Sequence, residues 1–582
     1  MYVIQGLKQH LSDLGSLSDD SPLIPATKGK GLSLEVAYWM DKTQTEPHEI
    51  LDACGGAAVS CFGNGWVDEA PELRELRGVL KRMQAKKSSF SEYGQVVLAL
   101  IEQVINGSYF MHYAYTSEAH QKLTDLLVAN SNIPAADLKE EEKMLKVMVL
   151  NSGSEVCDAM VKLAWQYWNG RKKIAVGKGK AAEIPGDVKE KACFITRTSS
   201  YHGNTVQALS LSHFPARQEN FGGLLSTDNL YKVNRYYPYR DRQTVKRSGA
   251  NTPETDDEYD DRLVRELVEM ISHIEQKEQK KVAALVIETV SGAALGCQPP
   301  SVRYLGKVKR VCKKYDILLV YDEIMCGLGR IGYANAWHYF DEEFRNQQNV
   351  DDRVDPSADG EAPLPDITNL APDIMIVGKT LGAGIQPASA ILANAKVVDA
   401  IRGNRHFDRE LREFSHGHTY QAHAAVCAAA AAVQEIVPQK LANIRERGDQ
   451  LRKGLQEIMK TSPHIGDVRG QGLFWGVELV KDKKRKEPFH PQYSVLTKFV
   501  KHCRVPDASN LKVPGLDVYP GSWTKTEDAQ HHTHGDHVIF SPAYVSTEQH
   551  IDAILKSFKS MLDGYFEGKS FPSSAVTAYG HN

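Results

Sequence analysis

The feature that most constrains the fold is a strand–helix–strand pattern in the middle of the chain. Residues 283–287 and 317–321 are two short, uninterrupted apolar runs. Between them, from Val302 to Tyr315, apolar residues recur at the spacing of one helical face. This order is typical of a βαβ unit, whose crossover places the two strands parallel. Because both strands are apolar throughout, we expect a parallel sheet covered by helices on both faces.

The same alternation continues along most of the chain. It predicts a helix at 155–168 and further strands at 146–150, 193–197, 374–377 and 388–392. A helix at 444–459, a strand at 473–479 and a helix at 547–561 predict a smaller α+β lobe. We therefore predict an α/β fold with a large domain at 91–420, a C-terminal small domain at 421–565, an N-terminal segment at 1–90 that contributes to the small domain, and a tail at 566–582.

Three polar stretches interrupt this pattern, at 170–191, 235–261 and 341–370. The first is rich in lysine, the second ends in an acidic run, and the third holds nine acidic residues against two arginines. Such segments bury little apolar surface, so we interpret them as surface insertions or partly disordered loops in the large domain.

Composition excludes several classes of protein. Lysine and arginine number 70 against 73 acidic residues, so there is no basic surplus for a nucleic-acid partner. The longest apolar run, 424–433, is ten residues, about half of a membrane span. The nine cysteines contain no C-x-x-C pair, which favours reduced thiols. The N-terminus has no basic leader segment. We expect a soluble cytoplasmic protein that binds neither nucleic acid nor membrane.

The first motif that suggests chemistry is Asn-Ser-Gly-Ser-Glu at 151–155, between a predicted strand and a predicted helix. Ser152 and Glu155 fit a capping box, which by itself would explain both residues. The same geometry leaves backbone N–H groups at a helix N-terminus, where a phosphate can bind. Taken alone, the motif favours the cap.

The second motif is the pair Asp322 and Glu323 at the end of a buried strand. Ligands of open α/β sheets bind at the carboxyl ends of strands, so Asp322 is placed to face a site, although it could also cap the next element. Together with Gly378-Lys379-Thr380 the pair suggests a P-loop ATPase. A P-loop requires glycine five residues before the Gly-Lys pair, however, and that residue is Asp373. We therefore set the ATPase hypothesis aside.

A lysine and an aspartate at two strand ends favour a different cofactor. A buried lysine amine can form a Schiff base with an aldehyde, and the aldehyde of pyridoxal phosphate is the obvious partner. That cofactor requires a lysine, a carboxylate for its pyridine nitrogen, a phosphate cradle and an aromatic ring to stack on. Lys379, Asp322, the Gly153-Ser154 turn and Tyr201 supply these four groups.

Seven segments, in order, then resemble the class III pyridoxal-phosphate-dependent aminotransferases, which have the fold-type I architecture. That architecture implies a large domain with a mixed, mostly parallel sheet between helices, and a smaller α+β domain. The stronger segments are 151–155, 201–203 (Tyr-His-Gly), 322–332, 378–384 (Gly-Lys-Thr-Leu-Gly-Ala-Gly) and 416–420 (His-Gly-His-Thr-Tyr). The weaker ones are 51–65 and 468–473. The resemblance extends from about residue 30 to 565. It implies a cofactor site formed by Gly153, Ser154, Tyr201, His202, Glu288, Asp322, Ile324, Lys379 and Thr419.

Carried over residue by residue, the resemblance gives roles to these side chains. Lys379 is expected to form the Schiff base with the cofactor and to move the substrate proton, and Asp322 to bond the pyridine nitrogen. These two are the implied catalytic residues. Ile324 is expected on one face of the ring, and Tyr201 on the other with His202 beside it.

The phosphate and the partner subunit account for the remaining residues. Gly153 and Ser154 are expected to hold the phosphate, whereas Thr419 is expected to reach the phosphate of the neighbouring subunit. That last role implies a homodimer. Glu288 matches an acidic position near the cofactor.

The chain also departs from the family pattern. Many relatives that use α-amino acids have an arginine near a C-terminal Pro-Pro block, but residues 530–542 contain none. An amine or amino alcohol donor thus becomes plausible, with Arg217 or Arg469 as other candidates for binding a carboxylate. Ser291 and Ala422 replace the usual glutamine and glycine. Histidines 531, 532, 534 and 537 have no supporting carboxylate or thiol frame, so we predict no metal.

The sequence therefore predicts a homodimeric enzyme that uses pyridoxal phosphate to transfer an amino group. The donor is an amine or amino acid and the acceptor a small keto acid. Two alternatives stay open: a decarboxylase or aminomutase on the same scaffold, and a non-catalytic fold-type I scaffold.

Overall fold

The structure is a computed structural model that describes residues 24–30, 33–36, 48–51, 59, 61, 71–112, 115–133, 138–176, 192–247, 250–347, 364–402, 414–505, 514–526 and 532–569. The strands are β1 (Ile24–Lys30), β2 (Ser33–Val36), β3 (His48–Leu51), β4 (Tyr115–Thr116), β5 (Met144–Leu150), β6 (Ala192–Arg197), β7 (Leu230–Val233), β8 (Thr244–Arg247), β9 (Ala250–Pro253), β10 (Lys281–Glu288), β11 (Leu318–Asp322), β12 (Ile374–Val377), β13 (Ser389–Asn394), β14 (Ile465–Gln471), β15 (Phe474–Leu479), β16 (Tyr519–Thr526) and β17 (His532–Phe540).

The helices that the structure describes range from one turn to more than ten. They are α1 (Pro71–Ala85), α2 (Glu92–Asn106), α3 (Glu118–Ser131), α4 (Gly153–Val176), α5 (Val206–Leu211), α6 (Pro215–Gln218), α7 (Pro238–Asp241), α8 (Asp256–Gln276), α9 (Val302–Lys314), α10 (Ala336–Asn346), α11 (Ala395–Arg402), α12 (Ala424–Thr461), α13 (Val495–Cys503) and α14 (Glu548–Phe566). A 3₁₀ turn, Lys379–Gly382, follows β12.

The large domain is built on a central sheet whose strand order, within the described residues, is β5-β13-β12-β11-β10-β6-β7. All neighbouring pairs are parallel except those of β13, which runs antiparallel to both β12 and β5. The prediction of an α/β fold with a mixed, mostly parallel sheet is confirmed. Strand β12 has the predicted bounds, because apolar residues fill it and polar residues flank it.

Helices cover both faces of this sheet, as the apolar strands require. In β11, Leu318 and Val320 pack into one buried cluster with residues of α4 and α11. Leu319 and Tyr321 point to the other face and pack into a second cluster with residues of α8 and α9. Side chains alternate across a strand, so both halves of the alternation must be apolar here.

A single long helix, α12, connects the two lobes. Its first half packs an apolar stripe, including Ala429 and Val433, against α2, and its second half enters the core of the C-terminal lobe through Leu451 and Leu455. The predicted start at residue 444 is wrong, because the helix begins at Ala424. Proline in a helix interior removes a backbone hydrogen bond, yet Pro438 lies inside α12. Apolar burial on both sides of Pro438 maintains the helix.

The C-terminal lobe contains an antiparallel sheet of order β14-β15-β17-β16, with α13 and α14 packed against it. This agrees with the predicted smaller α+β lobe. Near the N-terminus, β1 pairs with β2 and β4 and runs beside α2 and α3. The domain boundaries stay predictions. In the described part of the chain, no helix is both long and apolar enough to cross a bilayer.

The polar stretches are more ordered than the sequence suggested. Residues 235–261 form α7, the β8–β9 hairpin and the start of α8, and they contribute buried Tyr236 and Tyr259 to the core. The expectation that this stretch buries little apolar surface is therefore wrong. Ion pairs inside it, such as Arg235 with Asp241 at 2.7 Å, offset the cost of burying charge.

The other two stretches are partly helical. Residues 170–176 extend α4, and 341–346 end α10, so these parts are not loops. Buried Asp341 accepts a hydrogen bond from the Leu370 N–H at 2.7 Å, which ties the two ends of the third stretch together. Residues 177–191 and 348–363 lie outside the described residues.

Two glycines in helices give a matched test of the packing. A Cβ added to Gly448 of α12 would overlap the backbone of Gly472, whereas one added to Gly78 of α1 would meet only Arg82 Nη1 at 3.5 Å. We expect Gly448→Ala to destabilise the protein by about 1–3 kcal/mol through overpacking. Gly78→Ala should stabilise α1 by about 0.5–1 kcal/mol, since alanine is the better helix former. Urea unfolding followed by circular dichroism compares both with the parent, and a Gly448→Ala midpoint at or above the parent's would contradict the packing.

Candidate active site

The carboxyl ends of β10, β11 and β12 and the N-terminus of α4 surround a cavity of about 150 Å³. Its lining residues are Gly153, Ser154, Tyr201, His202, Gly203, Glu288, Val290, Ala293, Asp322, Ile324, Met325 and Lys379. Eight of the nine predicted cofactor residues are thus brought together. The ninth, Thr419, is exposed in a turn before α12 and does not line this cavity.

The sheet itself places the acidic residues and the lysine. Glu288 and Asp322 are register partners at the ends of the parallel strands β10 and β11. Asp322 pairs in turn with Ile376 of β12, and Lys379 follows that strand after Gly378. Lys379 has a φ of 43°, in the left-handed region that non-glycine residues rarely occupy. A turn closed by the Leu381 N–H and the Gly378 carbonyl at 3.0 Å holds it there.

The Asp322 carboxylate is buried and held at both oxygens. Oδ2 lies 2.8 Å from Nδ1 of His202, and Oδ1 accepts a hydrogen bond from the Ile324 N–H at 3.1 Å. The His202 backbone N–H donates to Ser212 Oγ at 2.8 Å, so the histidine is fixed as well. The sequence placed His202 beside the cofactor ring; the structure shows that its ring contacts Asp322, and no sequence signal indicated that bond.

Glu323 points away from the cavity, unlike its neighbour Asp322. Its carboxylate accepts hydrogen bonds from the N–H groups of Ala336 and Trp337, both at 2.7 Å, at the start of α10. Burial raises the pKa of Glu323 to about 7. Asp322 therefore faces the cavity and Glu323 faces the start of α10, because successive residues at a strand end point in opposite directions.

The N-terminus of α4 combines a cap with an anion site. The predicted capping box is confirmed: the Glu155 N–H donates to Ser152 Oγ, and the Ser152 N–H donates to Glu155 Oε2, each at 3.2 Å. Helix geometry gives the N–H groups of Gly153 and Ser154 no acceptor within the helix, and neither has one elsewhere in the described chain. Two backbone donors at a positive helix end, lining a cavity, fit a phosphate group.

The loop after Tyr201 closes tightly on this cradle. Ser154 Oγ accepts a hydrogen bond from the Asn204 N–H at 2.9 Å. Gly203 has a φ of +143°, and a Cβ there would lie 2.7 Å from Ser154 Oγ. Only glycine allows the two backbones to approach so closely.

An aromatic wall completes the cavity. Tyr201 is partly buried, and burial raises the pKa of its hydroxyl. The Arg217 guanidinium lies 4.8 Å from the centre of the Tyr201 ring, and Phe214 packs edge-on at 6.1 Å. Such stacking holds the ring in one orientation.

The structure separates the two candidate arginines. Arg469 is buried and bonded to Asp467 at 2.9 Å, to Glu478 at 3.0 Å and, through two nitrogens, to the Leu295 carbonyl, so four of its five N–H donors are engaged within the protein. Arg217 is exposed, and no carboxylate of the described chain pairs with it.

Of the four histidines considered for a metal, only the side chain of His537 is described. It is buried, its Nε2 lies 2.9 Å from the Ala293 carbonyl, and burial lowers its pKa to about 3. Across the described residues, no group of three or more His, Cys, Asp or Glu side chains is arranged to hold a metal ion.

Sequence reasoning missed Tyr544, which reaches the lysine turn from the C-terminal lobe. Its hydroxyl lies 3.3 Å from Thr380 Oγ1 and donates to the Leu328 carbonyl at 3.0 Å. The Arg330 guanidinium stacks 4.5 Å from the centre of its ring. Local sequence could not reveal this contact, because it joins residues far apart in the chain.

Comparison with known proteins shows the family to which the chain belongs. The family model for aminotransferase class III matches residues 93–343 and 365–562. An uncharacterised aminotransferase of Schizosaccharomyces pombe is 30% identical over 88% of this chain and 88% of its own length. The chain belongs to the class III aminotransferases.

Other relatives agree with that assignment. A chloroplastic gamma aminobutyrate transaminase 3 of Solanum lycopersicum is 30% identical, covering 74% of this chain and 69% of that protein. The crystal structure of an omega transaminase of Pseudomonas jessenii in complex with PMP superposes with a TM-score of 0.61. It covers 96% of this chain and 98% of that one at 23% identity, which shows a shared fold.

This class III aminotransferase is therefore a pyridoxal-phosphate-dependent enzyme of fold-type I that transfers an amino group from an amine or amino-acid donor to a keto acid. The residues present fit the cofactor. The Gly153 and Ser154 N–H groups suit its phosphate, the Asp322 carboxylate suits a ring N–H, and Tyr201 offers an aromatic surface.

Two serines in the cradle allow a matched test. We expect Ser154→Ala to weaken cofactor binding about tenfold, since a hydrogen bond to a charged phosphate is lost. Ser152→Ala should lower stability by about 0.5–2 kcal/mol through loss of the cap, with a much smaller effect on cofactor affinity. Absorbance titration of cofactor-free protein with pyridoxal phosphate measures both. Equal loss of affinity in the two variants would show that Ser154 has no contact of its own with the phosphate.

Proposed function

We propose that Lys379 and Asp322 carry the reaction, with an amine or ω-amino compound as donor and a small keto acid as acceptor. The supporting observation is the single cavity that contains Lys379, Asp322 and the free N-terminus of α4. In this proposal Lys379 binds the cofactor aldehyde and Asp322 keeps a proton on the ring nitrogen. When bound, pyridoxal phosphate accepts the electron pair left when the donor Cα–H bond breaks.

The protein groups then have distinct tasks. The Lys379 amine would be freed when the donor amine enters. It would then carry the proton from the donor Cα to the cofactor carbon. Asp322 remains oriented because His202 Nδ1 and the Ile324 N–H hold its two oxygens. Ile324 and Tyr201 line the cavity and restrict the ring, which keeps the breaking bond aligned.

The choice of donor rests on the charges around the cavity. Its described lining contains the carboxyl groups of Glu288 and Asp322 but no arginine. Arg469 is paired with Asp467 and Glu478, and Arg217 lies outside the lining, stacked on the Tyr201 ring. A donor with an α-carboxylate would therefore meet negative charge close to the reacting carbon. Gamma aminobutyrate, named for the tomato relatives, is an ω-amino compound and agrees with this donor class.

A decarboxylase or aminomutase could use the same scaffold, since the bond that breaks depends on how the donor is held. The family assignment and the intact lysine, aspartate and cradle favour transfer, and they also speak against a non-catalytic scaffold.

A donor panel tests the proposed function. With pyruvate as acceptor, we expect butylamine or 4-aminobutyrate to yield alanine. Lys379→Ala should give none. Asp322→Asn should be slower by about a hundredfold or more, because it cannot hold the ring proton as an anion. Alanine is measured by chromatography. The panel also includes α-amino acids. Carbon dioxide released from an α-amino acid without formation of alanine would favour decarboxylation, and full turnover by Lys379→Ala would refute the role of that lysine.

The assembly of the subunits is part of the proposal as well. We infer a homodimer in which Thr419 contacts the phosphate of the neighbouring subunit. Thr419 is exposed next to Tyr420, whose surface is 50% exposed, and α2 presents Tyr93 and Val104 to solvent on one face. Exposed apolar side chains of this kind mark protein contacts. Location in the cytoplasm stays a prediction, since plant relatives are named as chloroplastic and mitochondrial.

Subunit mixing tests the role of Thr419. Thr419→Asp would place a negative charge against the phosphate, and we expect that variant and Lys379→Ala each to be inactive as homodimers. In a mixed dimer, the Thr419→Asp subunit keeps its own Lys379 and receives an intact threonine from its partner. Refolding the two variants together should therefore restore activity at one of the two sites of each mixed dimer. No recovery, with mixed dimers confirmed by mass spectrometry, would mean that Thr419 acts within its own subunit.

A further inference from the structure

Among the carboxylates that line the described cavity, Glu288 has an oxygen without a hydrogen-bond partner. It ends β10 beside Asp322, and the residue is 6% exposed. Oε1 accepts a hydrogen bond from the Gly292 N–H at 2.9 Å, which closes the loop after the strand. Oε2 has no hydrogen-bond partner in the described chain, and Glu288 lines the cavity.

The other lining carboxylate differs in this respect. Both oxygens of Asp322 are already engaged, by His202 Nδ1 and by the Ile324 N–H. The neighbouring Arg197 donates through Nη2 to the Glu288 backbone carbonyl at 2.5 Å, and no described hydrogen bond joins it to the Glu288 carboxylate. Asp322 is also the carboxylate assigned to the ring nitrogen of the cofactor, so Glu288 Oε2 is the lining carboxylate oxygen that has neither a partner in the described chain nor a proposed role toward the cofactor.

A buried carboxylate oxygen without a partner, such as Glu288 Oε2, carries a free-energy penalty. A buried carboxylate without a partner loses much of its hydration, which destabilises the ionised form. Burial accordingly raises the pKa of Glu288, and the charge of Asp322 adds to that effect, while His202 and Arg197 oppose it. A bound cation or hydrogen-bond donor would remove the penalty. The amine donor is the molecule that must enter this cavity.

We propose that Glu288 binds a second ammonium group of the donor, at the end remote from the reacting amine, so that short aliphatic diamines are preferred substrates. The proposal rests on the proposed function, because it takes the cavity as the donor site. An amino alcohol offers a neutral hydrogen bond to the same oxygen and ranks second, since bonds between two charged groups are stronger. A simple monoamine leaves Oε2 unpaired and ranks third.

Four donors of matched length test the preference: 1,4-diaminobutane, 4-aminobutan-1-ol, butylamine and 4-aminobutyrate, each with pyruvate. The parent enzyme should show kcat/KM at least tenfold higher for the diamine than for butylamine. The difference should come from a lower KM for the diamine, with kcat nearly the same. Glu288→Gln keeps an oxygen for the Gly292 N–H but removes the charge, and it should reduce the diamine-to-butylamine ratio at least tenfold. Glu254→Gln, which removes a buried carboxylate that pairs with Arg262 outside the cavity, should preserve the ratio.

A binding measurement separates recognition from turnover. Tertiary amines cannot condense with an aldehyde, so N,N,N′,N′-tetramethyl-1,4-diaminobutane and N,N-dimethylbutylamine serve as unreactive probes. Calorimetry with the holoenzyme should give at least tenfold tighter binding of the diamine probe, and Glu288→Gln should abolish the difference.

Distinct results would overturn the proposal. Equal binding of the two probes to the parent, or a ratio that Glu288→Gln leaves unchanged, would remove Glu288 as a recognition residue. A preference for 4-aminobutyrate that survives in Glu288→Gln would assign the site to a carboxylate instead. Equal losses with all donors, together with weaker cofactor binding, would make Glu288 a cofactor or loop residue. If no donor yields alanine, the proposed function fails, and the calorimetry still decides whether Glu288 binds the second ammonium group.

Discussion

A buried carboxylate at the end of one strand sets the geometry of the active site. Asp322 ends β11, where the backbone is fixed by β10 on one side and β12 on the other. Its two oxygens are fixed by His202 and by the Ile324 N–H. A ring that bonds to this carboxylate must lie across the ends of the same strands. Lys379, the N-terminus of α4 and Tyr201 line the same cavity, so a ring in that position would have each of them beside it.

Much of this arrangement could be predicted from local sequence, because the signals are local. Strand β12 is a closed apolar run, and the capping box at Ser152 requires only residues three apart. Five of the eight cavity residues, Gly153, Ser154, Tyr201, Asp322 and Lys379, lie in short motifs at strand ends and a helix start, whereas His202, Glu288 and Ile324 were predicted from the family resemblance. In each case the physics that fixes the element acts over a few residues.

Predictions failed where distant residues decide the structure. The polar composition of 235–261 concealed its order, because Arg262 pairs with Glu254 at 2.8 Å and buries both charges. The predicted helix start at residue 444 missed twenty residues of α12, which continues through Pro438 because packing on both halves outweighs one lost hydrogen bond. The bond between His202 and Asp322 spans 120 residues of sequence, and no local pattern encodes it.

The contact of Tyr544 with Thr380 has a consequence for how the two lobes communicate. A phenol from the end of the C-terminal sheet touches the residue that follows the reactive lysine and, at the same time, the Leu328 carbonyl of the large domain. Any rotation of that lobe must stretch one of these bonds or drag the lysine turn along. The strained φ of Lys379 makes its amine sensitive to small shifts of that turn. Movement of the C-terminal lobe would therefore change the direction in which the Lys379 amine points.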